Sequence, residues 1–223
     1  MFYQTLSGLV ELMLVSFLAI KVNNFCIVLS SPSGAGKTSI SKKILLHDKK
    51  IRLSISCTTR PKRKGEVNLK DYIFLDDKEF DKLRTKNLFL EYANVFGYKY
   101  GTLNKTIVNF FKHNKDVLFD IDWQGYQQLK QSNLDVIGIF ILPPSKRELI
   151  KRLKNRGRDS KDEMDKRMSL VKSEISHFLE YDYVLINDDL ELCVDNILQI
   201  INSERNKRTR LINLTNFINK FRN

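Results

Sequence analysis

The stretch SSPSGAGKT, Ser30 to Thr38, decides how the rest of the chain is read. It differs by one residue from the phosphate-cradling pattern GxxxxGK[ST], because Ser31 stands where the first glycine belongs. Loop amides converge on an anion only if the backbone takes conformations that side chains disfavour, so the demanding positions are Gly34 and Gly36. Both are present. Lys37 can bring its ammonium to the β- and γ-phosphates, and the Thr38 hydroxyl, opening a helix whose N-terminus favours anions, suits a Mg²⁺ ion. A serine at position 31 is a modest steric addition, whereas loss of Lys37 would strip a charge from the reaction centre. Ser31, Pro32, Ser33, Gly34, Ala35, Gly36, Lys37 and Thr38 therefore read as a nucleotide-binding loop, and a glycine-rich turn with a chance lysine is the weaker reading.

Outward from the loop, the context agrees. FCIVLS (Phe25 to Ser30) runs straight into it, and a helix with apolar Ile40, Ile44 and Leu45 follows. Further strand-like runs are RLSIS (Arg52 to Ser56), VLFDID (Val117 to Asp122), VIGIFIL (Val136 to Leu142) and YVLIN (Tyr183 to Asn187). They are short, apolar and separated by helical patterns, which is how a buried parallel sheet reads. The fold class is α/β: a P-loop NTPase-type parallel five-stranded sheet flanked by helices.

Between Thr59 and Phe96 the texture turns charged and aromatic, with KDYIFL and FLEYANVF as strands of a small sub-sheet around the helix DDKEFDKLRTK. This predicts a mixed α/β insertion over about 57–102, able to supply a second substrate pocket. PPSKRELIKRLKNRGRDSKDEMDKRMSLVKSEISHFLEY reads as two helices joined by an arginine-rich hinge at Asn155 to Lys161, a helical lid over about 150–168. From Leu190 to Glu204, a helix places Leu190, Cys193, Val194, Ile197 and Ile201 on one face, a stripe for packing on the sheet.

With 223 residues, 42% hydrophobic and 29% charged, the chain supports one substantial core with appendages rather than disorder. A formal net charge of +12 would draw any polyanion, and nucleic acid is the first suspect. The cations cluster, however, in RPKRKGE (Arg60 to Glu66), KRLKNRGR (Lys151 to Arg158) and ERNKRTR (Glu204 to Arg210), and only the last is a simple tail. Small phosphorylated ligands account for the first two, and no stable nucleic-acid partner is expected. Cys26, Cys57 and Cys193 are scattered and odd in number, which suggests neither a disulfide framework nor zinc and fits a reducing cytoplasm. His47, His113 and His177 form no metal-ligand pattern. The apolar run TLSGLVELMLVSFLAI carries Glu11, lacks a basic leader and falls short of the ~20 residues a membrane span needs. It reads as an extra docking helix or as upstream sequence from a misassigned start, and no membrane partner is expected.

In order along the chain, SSPSGAGKT, SISCTTRPKRKGEVNLKDYIF, FLEYANVFGYKYGT, DIDWQG, RLKNRGR and INDD resemble the guanylate kinase family in its bacterial form. The likeness runs roughly from Asn24 to Arg208. It implies a kinase domain at 24–208, an apolar extension at 1–23 and a basic tail at 209–223, with the insertion as the GMP-binding part. It also implies in-line transfer of the ATP γ-phosphoryl group to GMP with Mg²⁺, giving ADP and GDP in purine metabolism without a phospho-enzyme. ATP and GMP are the partners implied, and a homo-oligomer is left open.

By that resemblance the GMP phosphate is held by Arg60 and Arg63, whose planar forks suit phosphate oxygens, and by the hydroxyls of Tyr72 and Tyr100. Guanine offers two donors, N1–H and the 2-amino group, beside the O6 acceptor; Glu91 accepts from the donors with Asp122 assisting, while Ser56 donates to O6 with Thr102 nearby. Asp120 is the Mg²⁺-associated carboxylate, acting through water. The lid arginines Arg152, Arg156 and Arg167 offset charge on the transferred group, with Arg158 left to solvent. Asn187 takes the adenine side. Two rivals stay open: a kinase for another nucleoside monophosphate, which should lack the carboxylate and hydroxyl pair, and a non-catalytic interaction module of the same family, whose ATP loop should be degraded.

Overall fold

Five consecutive buried residues at Cys26–Ser30 make the central strand of the structure, a computed structural model that describes residues 20–155, 169 and 171–222. In chain order the elements begin with β1 (Lys21–Val22), β2 (Cys26–Ser30), α1 (Lys37–His47), β3 (Ile51–Leu53), β4 (Cys57–Thr58), β5 (Ile73–Phe74), α2 (Asp77–Thr85), β6 (Phe89–Val95) and β7 (Tyr98–Leu103). They continue with α3 (Asn104–Lys112), β8 (Asp116–Asp120), α4 (Trp123–Lys130), β9 (Val136–Leu142), α5 (Lys146–Asn155), β10 (Tyr183–Ile186), α6 (Leu190–Arg205), β11 (Leu211–Ile212) and α7 (Leu214–Asn219). A helical stretch at 171–176 and a 3-10 turn at His177–Glu180 lie between α5 and β10.

The main sheet has the order β10-β9-β2-β8-β3, and every neighbouring pair is parallel. The expected five-stranded parallel sheet is therefore present, with strand ends trimmed: the run from Arg52 pairs only to Leu53, and VLFDID pairs only to Asp120. Because parallel strands are covered on both faces, their side chains can be apolar throughout, and β2 and most of β8 and β9 are buried. Cys26, Val28, Val117, Phe119 and Phe140 pack with Ile107, Tyr126, Leu129 and Tyr181 in one cluster. Burying each large apolar side chain contributes roughly 1.5–3 kcal/mol. On α6 the stripe Cys193, Val194, Ile197 and Ile201 is buried as its spacing predicts.

Register positions the chemistry. Leu29 on β2 pairs with Asp120 on β8, and Ser30 with Phe140 on β9, so the loop after Ser30 leaves the sheet beside Asp120 at the carboxyl ends of the strands. That is where parallel α/β sheets collect their ligands.

The insertion forms a second sheet in the order β5-β4-β7-β6, with β4 and β5 parallel and the other pairs antiparallel. KDYIFL supplies only Ile73–Phe74 to it, and a short strand at Cys57–Thr58 joins its middle. Cys57, Phe80 and Leu103 make its small core, with Phe80 stacked on Phe89 at 4.5 Å. Helix α2 starts at a reciprocal cap, in which Asp76 accepts from the Glu79 amide and Glu79 from the Asp76 amide.

Residues Asn24–Leu198 form one compact unit; among the described residues, 20–23 and 199–222 form another. Within the second, β1 and β11 pair antiparallel, and buried Arg210 is ion-paired with Glu204. Residues read as a basic tail thus carry β11 and α7. The apolar run before Ile20, Arg156, Arg158, Arg167 and most of the expected lid lie outside the described residues. No helix among the described residues is long and apolar enough to cross a membrane.

Candidate active site

Gly34 and Gly36 sit at φ 97 and 102°, left-handed conformations that a side chain strains. Space adds a second demand at Gly36, where a Cβ would meet Asn187 Nδ2 at 2.4 Å. Ser31 is not among the non-glycine residues with positive φ, so its backbone makes no call on glycine, and its hydroxyl donates to the Pro32 carbonyl at 3.1 Å. The departure from the glycine pattern is accommodated without strain.

Asn187, 4% exposed, donates to the Ala35 carbonyl at 2.7 Å, and Arg152 Nη1 donates to the Asn187 carbonyl at 3.1 Å. Arg152 is also held by Glu148 within its own helix, Nε to Oε1 at 3.1 Å. Asn187 and Arg152, expected on the adenine and phosphoryl sides, here brace the phosphate loop from behind.

At the loop's end Lys37 Nζ lies 2.9 Å from Asp120 Oδ1 and donates to the Ile121 carbonyl at 2.8 Å. Its charge is thus stationed at the carboxyl end of β8. Ser33 N–H donates to Glu174 Oε2 at 3.2 Å, which puts a carboxylate on an amide of the anion-binding loop. Nothing in KSEISHF marks that glutamate off from its acidic neighbours in the sequence. Among the described residues no three His, Cys, Asp or Glu side chains gather into a metal cage. Exposed Thr38 and half-buried Asp120 instead offer a hydroxyl and a carboxylate, a sparse oxygen set that fits Mg²⁺, which keeps several waters and takes the rest of its shell from phosphates.

One cleft of about 220 Å³ joins this loop to the insertion, lined on the far side by Ser56, Arg63, Tyr72, Glu91, Tyr100 and Asp122. Glu91 on β6 pairs in register with Thr102 on β7, and Thr102 lies 3.3 Å from Ser56, oxygen to oxygen. Glu91 is only 2% exposed, and among the described residues its Oε1 has no hydrogen-bond partner. Burial pushes this carboxyl up from its ordinary 4.5 to about 7; the nearby Asp122 charge adds to the rise and hydrogen bonding from Thr102 opposes it. Asp122 meanwhile caps α4, accepting from the Gly125 amide at 3.1 Å.

Arg63 stands exposed at the cleft, whereas Arg60 is buried beside it, its guanidinium donating to Glu66 Oε1 at 2.8 Å and lying 5.3 Å from the centre of the Tyr72 ring. Glu66 in turn accepts from the Arg63 amide at 2.8 Å, so one carboxylate ties both arginine positions together. Burial raises the Tyr72 phenol well above its usual range and keeps it a hydroxyl donor. Ala93, Val95 and Phe96, from the same FLEYANVF stretch as Glu91, add an apolar wall to which the sequence reading assigned no role.

A family model described as guanylate kinase matches residues 24–204. Over 194 residues the chain is 51% identical to the guanylate kinase of Zymomonas mobilis subsp. mobilis, covering 86% of this chain and 90% of that one. The guanylate kinase of Paramagnetospirillum magneticum is 44% identical over 197 residues, 88% of this chain and 92% of its own. Among solved structures, the crystal structure of guanylate kinase from Anaplasma phagocytophilum aligns with a TM-score of 0.76 at 35% identity, covering 90% of this chain and 96% of that one.

Proposed function

The chain belongs to the guanylate kinase family and transfers the γ-phosphoryl group of ATP to GMP, and we propose that the two halves of its cleft divide that work. The observation that carries the division is Glu91: a buried carboxylate with an oxygen unpartnered among the described residues, in the same cleft as an intact phosphate loop. Leaving such an oxygen unpaired costs on the order of 1–3 kcal/mol, which a ligand offering donors would recover.

Guanine fits that demand. Its N1–H and 2-amino group donate to Glu91, Ser56 donates to O6, and Asp122 assists at the edge of the base. Arg63, Tyr72 and Tyr100 hold the 5′-phosphate, with Arg60 behind them neutralised by Glu66 and stiffening the Tyr72 ring. On the donor side the amides of Ser33 to Gly36 cradle the triphosphate, and Lys37 exchanges Asp120 for the β- and γ-phosphates as the nucleotide enters. Asn187 keeps the loop in the cradle form through Ala35.

Mg²⁺ bound with ATP supplies charge neutralisation, and Thr38 and Asp120, the latter through water, are the residues that would hold it. The attacking phosphate oxygen of GMP and the γ-phosphorus are brought into line by their two subsites; the P–O bond to the β-phosphate breaks as the new one forms, and ADP and GDP leave. Arg156 and Arg167 offset the charge on the transferred group, while Arg152 braces the phosphate loop through the Asn187 carbonyl. We place the reaction in the cytoplasm.

A coupled assay of ADP release with ATP, Mg²⁺ and GMP, AMP, UMP or dTMP in turn tests this reading. GMP is expected to be used far above the others. Preferential turnover of AMP would overturn the assignment of Glu91 and Ser56 to the base.

A further inference from the structure

Helix α4 packs against β6, the strand that carries Glu91 and forms the outer edge of the insertion's sheet. Two residues of that helix, one turn apart, touch the strand beside the base-reading carboxylate. Gln128 meets both backbone groups of Tyr92: Nε2 donates to the carbonyl at 2.7 Å, and the Tyr92 amide donates to Oε1 at 3.1 Å. A neighbouring strand normally supplies such a two-point pairing, and here one side chain supplies it to an edge.

Gly125 lies against Glu91 itself. A Cβ at this position would come within 2.6 Å of Glu91 Oε2 and 3.3 Å of its Cδ, with Ile121 Cδ1 at 3.0 Å beside them. Backbone strain does not call for glycine there, since Gly125 is absent from the residues with positive φ. Within a helix glycine costs about 1 kcal/mol relative to alanine, so the bare Cα is kept against the interest of α4. Its amide also holds Asp122 at 3.1 Å, so both carboxylates of the base site rest on one residue.

We propose that Gly125 and Gln128 are positioning residues for base selection, seating Glu91 at the depth and rotation from which its two oxygens meet both donors of guanine. Gln128 fixes the strand, and Gly125 leaves the room that the carboxylate occupies. Neither residue lines the cleft, so both act through Glu91. The inference rests on Glu91 reading the base, as proposed above.

The test compares Gly125→Ala, Gln128→Leu and Glu91→Gln in the full chain, measuring kcat and KM for GMP, for inosine monophosphate, which lacks only the 2-amino group, and for ATP. Gly125→Ala is expected to raise KM for GMP by about tenfold to a hundredfold and to erase most of the preference over inosine monophosphate, with KM for ATP within about twofold. Gln128→Leu is expected to do the same more weakly, by about threefold to tenfold. Combining Gly125→Ala with Glu91→Asp supplies a rescue: the shorter side chain withdraws from the new methyl and leaves only the Ile121 contact, so the pair should cost less than the sum of the two single changes.

An unchanged preference in both Gly125→Ala and Gln128→Leu overturns the proposal, as does a loss shared equally by GMP, inosine monophosphate and ATP with a lowered melting temperature. If Glu91→Gln itself leaves the preference intact, the fault lies with the reading of Glu91. If Glu91→Gln abolishes the preference while the α4 variants keep it, only the role of α4 fails.

Discussion

Replacing Glu91 by glutamine should weaken catalysis and strengthen the fold, and the second effect should depend on pH. The native carboxyl is raised by burial from its ordinary 4.5 to about 7, so between those values the native state holds a proton that the unfolded state has released. Its contribution to stability is whole below about 4.5 and is lost as pH rises through 7. At ~1.4 kcal/mol per tenfold change, the full loss is on the order of 3 kcal/mol at pH 8. Glutamine has no proton to lose and fills nearly the same volume. Urea unfolding of the ligand-free protein at pH 5 to 8 should therefore show the variant gaining on the parent as pH rises, with an unchanged slope against denaturant. A gap between the two that stays constant with pH would refute the reasoning. Guanine needs the ionised form, so KM for GMP in the parent should fall as pH rises through 7. The glutamine variant, which shares the substrate phosphate's own titration, provides the reference slope.

Lys37→Ala should leave the fold intact, because the Asp120 carboxylate and Ile121 carbonyl it releases both line the cleft, where water can take its place, while kcat falls by about a thousandfold or more in the ADP-release assay; near-normal turnover would contradict the loop's role. Asn187→Ala removes the donor to Ala35 and leaves that buried carbonyl unpaired, so a cost of about 1–3 kcal/mol in melting experiments should accompany a raised KM for ATP with KM for GMP little changed. Glu174→Gln withdraws a negative charge from the mouth of the phosphate loop, and calorimetric titration should find ATP bound severalfold more tightly; weaker binding would mean that the carboxylate supports the loop.

The donor half of the site was legible because its physics is local. Strand β2, two glycines in left-handed conformations, Lys37 and the start of α1 follow one another within a dozen or so residues, and each requirement is met by a residue type that few others could replace. The parallel sheet was legible for a related reason: strands covered on both faces are apolar runs, and such runs stand out between helical patterns. Strand ends were less so, since pairing stops where a neighbour stops. Arg52 to Ser56 has strand composition throughout, yet β3 ends at Leu53, the residue paired with Leu118. The short strand β4 has no composition of its own to announce it and exists because β5 and β7 flank it.

The acceptor half is assembled from distant pieces, and there residue type alone carries little. Glu91 in FLEYA has the sequence appearance of an exposed strand residue; only the meeting of β6, β7 and α4 buries it and gives it a raised pKa. Arg60 and Arg63 look equivalent in RPKR, yet Glu66 draws the first into the interior and leaves the second at the cleft. Family motifs could name these residues without saying which of them would touch a ligand. Gly125 shows the same limit from the other side. Its helix would prefer alanine, and the reason against alanine is a carboxylate from another strand at 2.6 Å, a constraint that no local pattern expresses. Specificity in this cleft therefore depends on residues that never face it, and substitutions on the buried side of α4 should shift the choice of base before they disturb the chemistry of the phosphate.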